Sequence, residues 1–124
     1  MTFIDRSIPK SVALALKAVR DDVLWLEDRF AHDTRDEERL TTAGAENWLV
    51  ISRDKRIRTR PAEREAIINS DVGCFILNQS RDPTRWEYLK LLALTLDEMV
   101  TIFERTERPF IYSVGRSGNI SRVV

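Results

Sequence analysis

Residues 47–64 read NWLVISRDKRIRTRPAER, and this stretch decides the fold. Asn47 to Ser52 is the strongest strand signal in the chain, an apolar run of the kind a buried strand carries. The run stops at Arg53 and Asp54, so a carboxylate stands close to the point where the strand ends. Basic residues then alternate along the chain until Pro61 opens a short helix carrying Ala62, Ala66, Ile67 and Ile68. A second continuous apolar run, Gly73 to Leu77 (GCFIL), follows that helix. Strand, helix and strand in this order make a crossover between parallel neighbours.

The same alternation extends outward in both directions. Upstream, Thr2-Phe3-Ile4 is a short apolar run ending at Asp5, and Ser7 with Pro9 predicts a helix start. Val12, Leu16 and Val19 recur at spacings of four and three, as an amphipathic helix requires. Asp22 to Leu26 (DVLWL) reads as a buried strand and Glu27 to Asp33 as a loop. Thr34 to Glu37 has capping-box spacing, which predicts a second helix beginning at Thr34 and stopping at Gly44. Downstream, Asp82-Pro83 predicts the start of the longest helix, with Trp86, Leu89, Ala93, Leu96, Val100 and Phe103 as its apolar seam. Phe110 to Val114, a turn over residues 115–119 and Ile120 to Val124 predict a β-hairpin. The expected fold is therefore α/β, with a mostly parallel sheet and helices on both faces.

Composition sets the frame. With 124 residues, 43% hydrophobic and 32% charged, and only 4 Gly and 4 Pro, the chain suits one domain over residues 1–124. A core of that size needs neither disulfide nor structural metal. The single Cys74 points to a reducing compartment, and no apolar run approaches a membrane span, so a cytoplasmic protein without a membrane partner is expected. Net charge is formally zero, from 20 Lys+Arg and 20 Asp+Glu, which neither favours nor excludes nucleic acid. The distribution is more informative, because residues 53–64 place Arg53, Lys55, Arg56, Arg58, Arg60 and Arg64 against only Asp54 and Glu63.

In open α/β sheets, ligands bind beyond the carboxyl ends of the strands. Asp5 and Asp54 follow two such strands, and Asp36 and Glu37 open the helix that leads into the second of them. Converging carboxylates are hard-oxygen ligands for Mg²⁺ or Mn²⁺, and such an ion activates water and neutralises a phosphodiester. A structural reading stands beside this one. Acids are favoured in the first turn of a helix, Glu37 sits where a capping partner of Thr34 belongs, Asp5 suits a turn, and Asp54 can pair with Arg53 or Arg56. The basic run likewise suits either a solvated loop or a phosphate-binding surface. Trp25, Trp48 and Trp86 read as core, His32 as an ordinary loop residue, and Ser7 and Cys74 lack a recognisable base. No Walker A, GxGxxG, CxxC or HExxH pattern is present.

Asp5-Arg6 before a helix, Asp36-Glu37-Glu38-Arg39-Leu40, and Leu49-Val50-Ile51-Ser52-Arg53-Asp54-Lys55-Arg56 together resemble the PIN-like ribonuclease domains. The likeness is strongest over residues 3–77 and closest to the short VapC-type toxins of bacterial toxin–antitoxin modules. The resemblance implies a three-layer α/β PIN-like fold and an endoribonuclease that cuts single-stranded RNA with Mg²⁺ or Mn²⁺ held by Asp5, Asp36, Glu37 and Asp54. It also implies that Arg6, Arg53, Lys55, Arg56 and Arg58 hold phosphates. The family's further acid near a later strand is matched only by Asp71, which precedes its strand and so belongs at the wrong edge. A toxin implies a cognate antitoxin covering the cleft or the long helix, and the surplus apolar surface of that helix suits a homodimer.

Two other functions fit the same residues. In a non-catalytic RNA-binding or protein-interaction module of the same fold, the basic run would hold phosphates and the acids would serve as caps and ion-pair partners. A phosphotransfer domain using Asp54 is a third reading. It lacks the expected lysine after GCFIL, where Asn78-Gln79-Ser80 stands instead.

Overall fold

The apolar runs become the strands of one sheet. The computed structural model describes residues 1–31, 33–79 and 81–124, without the side chain of Arg58. His32, and the phosphate contact expected of Arg58, thus lie outside the described residues. In chain order the elements are β1 (Thr2–Ile4), α1 (Lys10–Val19), β2 (Val23–Trp25), α2 (Leu26–Arg29), α3 (Asp36–Ala45), β3 (Leu49–Ser52), α4 (Arg56–Thr59), α5 (Pro61–Asn69), β4 (Gly73–Leu77), α6 (Arg85–Arg105), β5 (Phe110–Val114) and β6 (Ile120–Arg122). The strand order is β2-β1-β3-β4-β5-β6. β1 to β5 are parallel and β6 returns antiparallel along β5. This is the mostly parallel α/β sheet with a C-terminal hairpin that the sequence implies.

Every residue of β3 and β4 is buried, because helices cover both faces of the central strands. Ile4, Ile51, Phe75 and Tyr112 align across the sheet, and the rings of Phe75 and Tyr112 stack 5.6 Å apart. α1 packs against α6, and the Cβ position of Gly73 faces Phe103 of α6. α3 and α5 cover the opposite face, where Leu40 and Ile67 lie with Phe3 and Val50. Fully burying side chains such as Ile51, Phe75 and Leu92 contributes roughly 1.5–3 kcal/mol each.

Several local expectations are corrected. Residues 27–33 are not all loop, because α2 forms there with the Asp28 carboxylate accepting the Trp25 amide at 3.1 Å. α3 starts two residues after Thr34, which leaves Thr34 outside the cap position, and among the described residues no side chain caps this helix. Its first turn carries Asp36, Glu37 and Glu38, whose charge complements the helix dipole. Gly44 does not stop the helix. The chain turns at Asn47, whose φ is 60°. α6 is capped by Thr84 rather than Asp82: Thr84 Oγ1 accepts from the Glu87 amide at 3.1 Å, and the Thr84 amide donates to Glu87 Oε1 at 3.0 Å. The Asp82 carboxylate is instead drawn to Arg53, 2.8 Å away.

The buried seam of α6 is Tyr88, Leu91, Leu92, Thr95, Leu96 and Met99, so the period is as expected but the phase is rotated. Trp86 is consequently 64% exposed rather than core, and Val19 at the end of α1 is exposed as well. Trp25 and Trp48 are buried. Among the described residues no helix is long and apolar enough to cross a membrane.

Candidate active site

Parallel strands deliver their following loops to one edge of the sheet, and Asp5, Asp54, Asn78 and Gly115 all emerge there. The loops after β1 and β3 are stitched together by two serines. Ser7 Oγ donates to Asp5 Oδ2 at 2.8 Å and accepts the Arg53 amide at 2.8 Å. Ser52 Oγ lies 3.3 Å from the same Asp5 oxygen and accepts the Asp54 amide at 3.0 Å. The Asp5 amide donates to the Ile51 carbonyl at 3.0 Å, so the ends of the two strands are held in fixed relation.

Asp54 is gripped by Arg56. The Arg56 guanidinium holds the Asp54 carboxyl below the usual carboxylate range against the opposing effect of burial. Across the cleft, Asp36 at the start of α3 is paired with Arg39 and lies 3.8 Å from Arg6. Arg39 is only 4% exposed. Burial, and then the nearby Arg6 cation, pull its guanidinium below the usual arginine range. Its Nη1 is buried without a hydrogen-bond partner among the described residues.

Asp5, Asp36, Glu37 and Asp54 line one cleft of about 290 Å³, whose apolar walls include Phe3, Val50 and Ile57. Asp5, Asp36, Arg39 and Asp54 also line an adjoining, more open hollow together with Arg6, Arg53, Lys55 and Arg56, which gives the cleft a basic mouth. Asp71 is at the opposite edge, before β4, 3.8 Å from Arg108. Sequence reading does not single out three polar residues of the cleft, Ser52, Glu63 and Arg39. Glu63 sits in the first turn of α5 and in the sequence reads only as charge within the basic run. Arg39 carried no local signal, since an arginine in an acidic helical stretch reads as solvated.

The family model described as PIN like domain matches residues 1–79. The chain belongs to the PIN-like domain family. No curated protein and no solved structure matches it. PIN-like domains are generally nucleases, and the matched segment of this PIN-like domain spans both strand-end acids, α3 and the whole basic run. The donors in the cleft suit a hard divalent cation in kind, being carboxylates with neither histidine nor thiol among the described lining residues. As the side chains stand, arginines occupy Asp36 and Asp54. Among the described residues no three metal-ligating side chains are gathered closely enough to hold one ion. Cys74 is fully buried within β4 and burial pushes its thiol up, so it offers neither a ligand nor a nucleophile.

Proposed function

We propose that this PIN-like domain is a metal-dependent endoribonuclease, the VapC-type toxin of a toxin–antitoxin module, cutting single-stranded RNA with Mg²⁺ or Mn²⁺. One observation carries the reading: Asp5, Asp36, Glu37 and Asp54, from two strand-end loops and the start of α3, line a single cleft whose mouth is bordered by arginine and lysine. Asp5 and Asp54 would hold the ion, with Asp36, Glu37 and Glu63 completing the acidic wall. A bound divalent ion supplies an activated water and neutralises charge on the phosphodiester. Arg6, Arg53, Lys55 and Arg56 hold the phosphates on either side of the cut, and the serine pair keeps the two strand-end acids in place. A cognate antitoxin would silence the enzyme by covering this cleft. The cytoplasm is where such a toxin would meet its RNA.

The test is cleavage of a mixed-sequence single-stranded RNA with Mg²⁺, Mn²⁺ or EDTA, by wild type and Asp54→Asn side by side. Metal-dependent cutting that is lost in a folded Asp54→Asn protein is the expected result. The pairs Arg56–Asp54 and Arg39–Asp36 favour one other reading, a non-catalytic RNA-binding module whose acids are already neutralised. Salt-sensitive RNA binding by both proteins, with cutting by neither, would establish that reading instead.

A further inference from the structure

A second pocket, of about 320 Å³, opens at the same edge of the sheet on the α6 side. Its walls come from segments far apart in sequence: Gln79 beyond β4, Tyr88 and Leu91 on α6, and Arg116 in the turn between β5 and β6. β4 and β5 run parallel to β1 and β3, so this pocket and the acid cleft share one edge, on which neighbouring strand ends lie about 5 Å apart. Arg53 is the wall between them. It borders the opening of the acid cleft, its guanidinium lies 5.9 Å from the Tyr88 ring centroid, and its Nη2 donates to the Arg81 carbonyl at 3.1 Å.

The pocket's chemistry is specific. Gln79 is 8% exposed, and its amide nitrogen is buried without a hydrogen-bond partner among the described residues. A buried donor left unpaired is costly, and an occupant offering an acceptor recovers that cost. Glutamine's terminal torsion is soft, so the amide turns toward such an occupant at small cost. Lys90, Arg81 and Arg116 face the single acid Glu87, leaving positive charge around the opening. Trp86 projects beside the pocket with Lys90 Nζ 5.9 Å above its ring. A polar edge-reading group, cations and an exposed indole together match an unpaired nucleotide better than a peptide or a metabolite.

We infer that this pocket holds one unpaired base of the RNA strand whose phosphodiester lies in the acid cleft, an inference that rests on the ribonuclease reading above. The Gln79 amide donates to an acceptor on the base edge, Lys90 and Arg116 take the flanking phosphates, and Trp86 stacks on the adjoining base. The strand crosses from cleft to pocket over Arg53.

The test uses the full chain and a fluorescein-labelled, mixed-sequence single-stranded RNA, with anisotropy measured in EDTA and cleavage measured with Mg²⁺ or Mn²⁺. Trp86→Ala is expected to weaken binding about tenfold, the loss of one stacked base. Arg116→Gln is expected to weaken binding several-fold and to reduce the salt slope by about 0.7, the share of one single-strand phosphate. Gln79→Leu is expected to weaken binding and flatten the base preference at one position of the cleavage pattern. The two exposed residues decide the matter even if the Gln79 variant folds poorly. Wild-type cutting with unchanged affinity in Trp86→Ala and Arg116→Gln overturns the pocket and leaves the ribonuclease standing. Absence of both binding and cutting by wild type overturns both. Unchanged RNA affinity with self-association lost in Trp86→Ala makes the surface a protein contact and overturns the base site.

Discussion

Arg56 holds both carboxylate oxygens of Asp54: its Nε donates to Oδ1 at 2.9 Å and its Nη2 to Oδ2 at 2.6 Å, with the Arg56 amide adding a bond to Oδ1 at 3.0 Å. For Asp54 to serve a metal, this guanidinium has to let go, and once released at the cleft opening it is placed for phosphate. Arg56→Gln is therefore expected to tighten Mn²⁺ binding several-fold by calorimetric titration. In EDTA the same variant should bind RNA more weakly, with a salt slope smaller by about 0.7. An unchanged Mn²⁺ affinity would show that Arg56 does not compete for Asp54.

The same pair shapes the acid side of the stability profile. Arg56 depresses the folded-state pKa of Asp54 below its ordinary value of 3.8. A depressed carboxyl contributes stability that is present above the unfolded-state value and is lost as pH falls through the folded one. Asp54→Asn should thus lower the urea midpoint at pH 6, and its deficit should shrink once the pH falls well below 3.8. The effect is small, because Arg56 is exposed and solvent screens the pair. A deficit that stays constant across this range would mean that the substitution acts through shape rather than charge.

Ser7 is the latch between the two strand ends. Replacing it by alanine removes a bond to the Asp5 carboxylate and leaves the Arg53 amide without its acceptor. Ser7→Ala is expected to cost about 1–3 kcal/mol in urea unfolding. RNA cleavage should also fall by about tenfold or more in kcat, since small displacements of a reacting group are costly. Ser7→Thr keeps the hydroxyl and should restore both. Lost stability with an unchanged kcat would reduce Ser7 to a purely structural role.

What the sequence made legible follows from the range of each interaction. NWLVIS and GCFIL announce buried strands within a few residues, and parallel pairing then brings Asp5 and Asp54 to one edge without further information. Helix ends are less legible because neighbouring residues compete for the cap: Thr84, boxed with Glu87, takes the cap position that the sequence assigns to Asp82, and Asp82 is taken by Arg53. The phase of α6 is ambiguous in the sequence for a related reason. Its apolar residues surround much of the helix, so periodicity alone did not single out Tyr88 and Thr95 as buried or Trp86 as exposed. Arg39 and Gln79 had no local signature, since each owes its burial to segments distant in the chain.

Gly44 offers a test of how rigidly the acidic wall is seated. An alanine inside a helix ordinarily stabilises by about 1 kcal/mol over glycine. Here a Cβ on Gly44 would stand 1.8 Å from the Ser70 carbonyl oxygen and 3.1 Å from its carbon, at the close approach between α3 and the end of α5. The obstacle is backbone, not the tip of a flexible side chain, and the Gly44 carbonyl is itself held by Arg108 Nη1 at 3.2 Å. Gly44→Ala is therefore expected to destabilise by about 1–3 kcal/mol, the cost of overpacking, in place of the usual gain. α3 carries Asp36, Glu37 and Arg39, so its displacement should also lower RNA cleavage at temperatures where the variant remains folded. Exposed Ala45→Gly in the same helix is the control, expected to lose up to about 1 kcal/mol with cleavage unchanged. A raised urea midpoint in Gly44→Ala would show that α3 and α5 part easily, and the cleft would then not be a fixed scaffold for its acids.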